Sequence, residues 1–250
     1  MLKLLLKTLR SSDWSEALDF ISPAFFEVVP LMAIARLVAT MSRNFARREP
    51  ALETHRQWQL QLASPDLFIK VSPNSGPISR GSDQENTDRG QALLSLYFKI
   101  IHHEGSCFLD LRSRSFALAS DCWQWQPAAW IHTWDPIFRL AMADIYAGYY
   151  GQDPVRFEQG LKALQLEHAR ALFMEQFGDG SSETLVFDLH RFKTSFHKIF
   201  ISCRDHGTQL HPDFFALGML LFSLYEHAAA LGVPLSPGRA YQEAMGETLL

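Results

Sequence analysis

The stretch Gly90–Asp121, GQALLSLYFKIIHHEGSCFLDLRSRSFALASD, indicates the fold class of this chain. Apolar residues recur every three or four positions over Gln91–His103, which is the spacing of one face of an α-helix. Gly105 follows, and then two short apolar runs, Cys107–Leu111 and Ser115–Ala119, which we interpret as strands. We therefore expect a helix that leads through a glycine into two short strands.

Helical patterns fill most of the remaining chain. Asp66–Val71, between two prolines, is predicted as a strand, and Ser72–Arg89 as a loop because Ser, Pro, Gly, Asn and Asp are dense there. The fold class is mainly α, with a minor short-strand element. The other predicted helices are Leu2–Arg10, Trp14–Ile21, a helix that starts at Ser22-Pro23 and is closed by Pro50, Ala51–Leu62, Pro136–Tyr150, Val155–Leu164, Leu166–Phe177, Phe187–Arg204, Pro212–Leu231 and Arg239–Leu250.

Length and composition indicate an ordinary globular protein. A chain of 250 residues with 47% hydrophobic residues can bury a sizeable core. We divide it into N-terminal helices, residues 1–65, and a helical core, residues 66–250, which we expect to form one continuous domain. The net charge of −4 argues against a nucleic-acid partner. The three cysteines are too few for a disulfide framework, so we expect a cytoplasmic protein.

Residues 1–10, MLKLLLKTLR, combine leucines with Lys3, Lys7 and Arg10. This composition suits a short amphipathic helix that makes peripheral membrane contact, but we favour a first helix packed on the core. The most apolar segment farther along, Phe214–Leu231, is interrupted by Glu226 and His227, so we predict a core helix there.

The sequence contains histidines and acids but no complete catalytic motif of a known kind. Histidines and acids are adjacent in His103-Glu104, Glu167-His168 and Glu226-His227, whereas helical metal ligands lie three or four residues apart. A helical metal-dependent oxidase that gathers Glu and His from several helices stays open as an alternative. The sequence contains no Walker loop, no Gly-x-Gly-x-x-Gly and no Gly-x-Ser-x-Gly.

Four tryptophans, Trp123, Trp125, Trp130 and Trp134, lie within twelve residues. Such a cluster forms either a local core or a surface that stacks a planar ligand or anchors a partner protein. We favour the core and keep a helical partner-binding module as the second alternative.

Several stretches together resemble the UbiB/AarF family of atypical kinases, which is associated with quinone biosynthesis. In Leu94–Ser115, Gly105 matches the glycine of the family's catalytic loop and Asp110 falls on its catalytic aspartate. Asp121 falls on the metal-binding aspartate that follows. The other stretches that resemble the family are Val29–Phe45, Asp66–Arg80, Phe138–Leu166 and Phe196–Leu231.

The resemblance implies a fold like the C-terminal lobe of an atypical kinase and a degenerate site. It assigns Asp110 as the vestigial catalytic residue, Ser115 and Asp121 as nucleotide-cofactor contacts, and Asp110 with Asp121 as ligands of Mg²⁺ beside ATP. Ser115 stands where the family has a metal-binding asparagine, and the ATP-pairing lysine has no counterpart. We therefore expect a pseudokinase with a non-catalytic regulatory or scaffolding role in quinone or lipid metabolism, and with a protein partner.

Overall fold

The structure, a computed structural model, describes residues 23–62, 69–71, 82–119, 122–177 and 184–246. It confirms the mainly helical class with a minor strand element. The helices are α1 (Phe25–Val28), α2 (Leu31–Ala46), α3 (Arg48–Gln61), α4 (Asp83–His102), α5 (Pro136–Tyr150), α6 (Pro154–Ala163), α7 (Arg170–Phe177), α8 (Leu189–Asp205), α9 (Phe214–Leu231) and α10 (Pro237–Gly246). The strands are β1 (Ile69–Val71), β2 (Ser106–Phe108), β3 (Phe116–Ala119), β4 (Cys122–Trp125) and β5 (Ile131–Thr133), and two short 3₁₀ turns cover Ser113–Ser115 and Glu167–Ala169.

Local sequence signals place several helix ends where we predicted them. Asp135 caps α5 by accepting a hydrogen bond from the Ile137 amide at 2.9 Å. Asp153 caps α6 in the same way, with Pro154 as the first helical residue. Gly232 ends α9 in the left-handed conformation, with φ of 69°, which a residue without a Cβ adopts at little cost.

The predicted loop Ser72–Arg89 is wrong in its last seven residues, because α4 begins at Asp83 rather than Gln91. Ser82 and Glu85 form a capping box at this end. The Ser82 side chain accepts from the Glu85 amide, and the Glu85 carboxylate accepts from the Ser82 amide at 2.6 Å. These reciprocal bonds satisfy backbone donors that would otherwise lack partners, and they extend the helix into a polar stretch.

The predicted helix between Ser22-Pro23 and Pro50 is also wrong in detail, because it is interrupted twice. Val29 is extended before Pro30, as a residue that precedes proline prefers, and this separates α1 from α2. Pro50 lies inside the first turn of α3, where a missing backbone donor costs little, instead of closing α2.

The two predicted strands around Asp110 are real but shorter, and they pair with different partners. β2 is antiparallel to β5, with Cys107 opposite His132. β3 is antiparallel to β4, and β1 joins the other edge of β4 in parallel. The residues between β2 and β3 form an extended segment and a 3₁₀ turn, so this segment is free to pack against α9.

The tryptophan cluster belongs to the core, as we favoured. Trp123 and Trp125 are fully buried, and Trp130 and Trp134 are 4% and 3% exposed, so none of the four offers a surface for stacking a ligand. The Trp125 ring lies edge-on to Trp58 of α3, with 5.8 Å between their centres. Buried residues on both sides of the predicted boundary at residues 65 and 66 therefore share one hydrophobic cluster.

Helices α5 and α6 form a closely packed hairpin that depends on glycine. A Cβ added to Gly160 would lie 2.7 Å from the Ala141 carbonyl oxygen and 2.7 Å from the Ile145 amide nitrogen. Both are backbone atoms, which cannot rotate away as a side chain can. Gly148 similarly faces the backbone of Phe157. The two helices therefore touch through their main chains.

Helix α9 is the one helix in the described part of the chain that has the length and apolarity of a membrane span, and 72% of it is buried in the protein. The two polar residues that interrupt its sequence contact the segment that follows β2. Glu226 accepts from the Ser113 amide and hydroxyl, each at 2.9 Å, and His227 lies 2.9 Å from the Leu111 carbonyl. Leu111 and Ser113 follow Asp110 closely in sequence, so α9 holds the segment that contains Asp110.

Candidate functional site

Asp110 lies two residues beyond the end of β2 and is completely buried. Its Oδ1 accepts a hydrogen bond from Arg112 Nε at 2.6 Å, and its Oδ2 accepts from Arg112 Nη2 at 3.0 Å. The Arg112 side chain is only 5% exposed. The two residues therefore form a buried, two-pronged ion pair within one turn of chain.

Three further donors complete the environment of the Asp110 carboxylate. The Arg112 amide donates to Oδ1 at 3.4 Å. Oδ2 accepts from the Ser115 hydroxyl at 2.6 Å and from the Ala128 amide at 2.9 Å. A carboxylate offers about four lone-pair directions, and here five donors from the protein point at its two oxygens. Asp110 could bind a metal ion or a substrate hydroxyl only after losing one of these bonds.

Residues of α9 hold the backbone on either side of Asp110. Ser223 Oγ accepts from the Leu111 amide at 3.1 Å. His227 Nδ1 donates to the Leu111 carbonyl, and burial is the main reason that the pKa of His227 falls to about 4. The ring is therefore neutral at physiological pH, with its proton on Nδ1. The site is built from one loop and one helix distant in sequence.

The structure describes two of the three predicted site residues. Asp110 and Ser115 are brought together, but they bond to each other. Asp121 lies outside the described residues, so its separation from Asp110 has no measured value and the Mg²⁺ pair stays a prediction. Residues 1–10, for which membrane contact was the second of two interpretations, also lie outside them.

A second polar cluster lies at the β2–β5 pair. The Cys107 thiol donates to the His132 carbonyl oxygen, with 3.4 Å between sulfur and oxygen, and His132 Nε2 lies 3.4 Å from Asp213 Oδ1. Burial raises the pKa of Asp213, but the His132 ring, the Asp135 amide and His211 together outweigh it, and the net shift is downward. Sequence reasoning missed this group because its members meet only through strand pairing.

Cysteine, histidine and aspartate in one place suggest a nucleophile with its base and orienting acid. The geometry argues otherwise, because Cys107 is fully buried and its thiol is directed at a backbone carbonyl rather than at the imidazole. Burial also raises the pKa of Cys107 far above that of an ordinary thiol, which disfavours the reactive thiolate. This cluster is therefore a structural tie between β2, β5 and the start of α9.

The described residues form no metal site, and a cavity that they enclose is too small for a ligand. Across the described ranges, no group of three or more His, Cys, Asp or Glu side chains is placed to hold a metal ion. A cavity of about 20 Å³ lies among α5, α7, α8 and α9, lined by nine apolar side chains that include Met142, Phe200 and Leu217. That volume is near the size of one water molecule and offers it no polar partner, so the cavity is a packing void.

Comparison with known proteins adds no family. No protein-family model matches the chain, and no curated protein is significantly similar to it. The geometry around Asp110 is therefore the main basis for a functional proposal.

Proposed function

We propose that this chain is a pseudokinase-like protein with a non-catalytic, regulatory or scaffolding role. The observation that carries the proposal is the complete engagement of the Asp110 carboxylate by Arg112, Ser115 and the Ala128 amide. The kinase-like class itself rests on the resemblance of Leu94–Ser115 to the UbiB/AarF catalytic loop.

Phosphoryl transfer depends on positioning and on charge. A catalytic aspartate must accept the proton of the attacking hydroxyl, and further acids must hold Mg²⁺ on the phosphates. Asp110 has no unoccupied lone pair for either task, and the hydroxyl of Ser115 is directed at Asp110 instead of at a metal. The same residues that would perform chemistry in an active kinase serve here to fix a loop.

A scaffolding role agrees with how this loop is held. Ser223, Glu226 and His227 bind it from α9, and Trp125 Nε1 donates to the Asp110 carbonyl oxygen at 2.8 Å. A rigid polar network of this kind favours one conformation. The link to quinone or lipid metabolism and the protein partner follow from the resemblance. No observation favours the metal-dependent oxidase over this proposal.

Nucleotide binding tests the proposal directly. The melting temperature of the full chain is measured with and without ATP and Mg²⁺, beside Asp110→Asn treated in the same way. Each protein is compared only with itself, so a lower stability of the variant does not affect the comparison. We expect the nucleotide to leave both melting temperatures unchanged. A Mg²⁺-dependent rise in the parent that Asp110→Asn abolishes would show that Asp110 still serves a nucleotide site and would overturn the non-catalytic assignment.

A further inference from the structure

One segment of the chain has a charge opposite to that of the whole. Residues 28–48 contain Arg36, Arg43, Arg47 and Arg48 and no aspartate or glutamate, although the net charge of the chain is −4. This segment contains all of α2. Arg36 and Arg43 lie in α2, and Arg47 and Arg48 follow its end. A segment with charges of one sign points to a partner of the opposite sign.

Helix α2 is also apolar on much of its outer side. Its inner face is held in the core by Ile34, Val38 and Met41. Phe45 lies on this inner face too, with its ring centre 5.3 Å from that of Trp130. The next sector around the helix carries no charge, and its two largest side chains, Leu31 and Met32, are 43% and 54% exposed. Ala35, Ala39, Ser42 and Ala46 fill the rest of this sector.

Two arginines border this sector. Arg36 and Arg43 are exposed and seven residues apart, so they lie on one side of the helix two turns from each other. Neither takes part in an ion pair in the described part of the chain. The nearest acids in sequence, Glu27 and Glu49, lie beyond the two ends of α2.

We propose that this surface, the α2 face (Leu31, Met32, Ala35 and Ala39 with Arg36 and Arg43), binds the surface of an anionic lipid bilayer. A helix that lies in the plane of a bilayer inserts apolar side chains between head groups and keeps basic side chains at the phosphates. The two exposed arginines beside the exposed Leu31 and Met32 match that arrangement. The core contacts of α2 fix this face in one orientation.

The other occupant to consider is the chain itself, since residues 1–10 are rich in leucine. Those residues carry Lys3, Lys7 and Arg10 and no acid. Packing them along Arg36 and Arg43 would bring like charges together, whereas an anionic bilayer attracts both segments. Charge complementarity therefore favours the lipid surface over residues 1–10.

The charge requirement is tested by flotation of the full chain with vesicles of phosphatidylcholine alone and of phosphatidylcholine mixed with phosphatidylserine. We expect binding to the mixed vesicles only, weakened by salt. Arg36→Gln with Arg43→Gln should lower the partition coefficient about fivefold per arginine, or about 25-fold. The control, Arg156→Gln with Arg239→Gln, makes the same change in net charge elsewhere and should bind like the parent.

The apolar requirement is tested with Leu31→Ser and Met32→Ser together. The control changes Ile137 and Leu140 of α5 to serine, which are 68% and 55% exposed. We expect loss of binding only for the α2 variant, with unchanged melting temperatures for both. Three results would overturn the proposal. They are equal vesicle binding by the α2 variants and the parent, loss of binding in the α5 control, and loss of binding only when residues 1–10 are deleted.

Discussion

Arg112 binds the carboxylate of Asp110 through two parallel N–H···O bonds, and both side chains are removed from solvent. A buried charge that loses its partner is expensive, because the protein interior does not solvate it. We expect Asp110→Ala to lower the free energy of unfolding by about 3–5 kcal/mol, measured by urea denaturation.

The double variant Asp110→Ala with Arg112→Leu removes both charges and serves as the control. The double variant leaves no unpaired ion, whereas each single variant does. It should therefore lose markedly less stability than the sum of the losses in Asp110→Ala and Arg112→Leu. Additive losses would mean that the two side chains do not stabilise each other, and the contact would then have no energetic role.

Acid should destabilise the protein through His227. The unfolded histidine takes up a proton near pH 6.5, whereas the buried one does so only near pH 4, so between these values protons favour the unfolded state. Stability should fall as the pH drops through this window, with His227 contributing on the order of 1.4 kcal/mol per pH unit. Urea denaturation at a series of pH values measures the slope.

His227→Asn isolates this contribution. Its side-chain amide can still donate to the Leu111 carbonyl, but it does not titrate. Other histidines with lowered pKa values, such as His55 and His102, are retained, so the difference in slope between the two proteins belongs to His227. Parallel stability curves for parent and variant would contradict a neutral, buried imidazole.

The α5–α6 contact predicts opposite effects for two glycine substitutions. Gly160→Ala should lower the free energy of unfolding by about 1–3 kcal/mol, because its Cβ meets backbone atoms of α5. Gly218→Ala, inside α9 with open space around it, should raise it by about 0.5–1 kcal/mol through helix propensity. Thermal melting of both variants compares them, and a stabilising Gly160→Ala would refute the close approach of the helices.

Ser82→Ala should shorten α4 at its start. It removes the acceptor of the Glu85 amide and should cost about 1 kcal/mol. Ser82→Asp keeps an N-cap acceptor and should stay near the parent in stability. Hydrogen exchange of the Glu85 and Asn86 amides follows the fraying directly, and unchanged protection in Ser82→Ala would show that the helix start does not depend on the cap.

Local sequence signals predict helices well and strand partners poorly. Asp135-Pro136 and Asp153-Pro154 are complete start signals, and the structure confirms both helix starts. Ser82 and Glu85 were also a readable signal, overlooked because the surrounding residues are those of a loop. The pairing of Cys107 with His132 joins residues 25 apart, and no local pattern specifies such a partner.

The candidate site was predicted only in outline. Asp110 was identified through the family resemblance of Leu94–Ser115, but its bond with Arg112 depends on the conformation of the chain between them. The contacts from α9 had one sequence signal: Glu226 and His227 interrupt an otherwise apolar helix, and buried polar groups of this kind need partners. The sequence shows that partners must exist, and only the fold shows that they are Ser113 and Leu111.

The clamp of α9 on the loop around Asp110 also affects how the chain is synthesised. Leu111 and His227 are 116 residues apart, so a ribosome that adds roughly 5–20 residues per second makes the second about ten seconds after the first. Throughout that interval α9 is absent, so the charges of Asp110 and Arg112, which are buried in the folded protein, stay exposed to solvent. Nascent chains that stall before α9 should therefore depend on chaperones more than released ones.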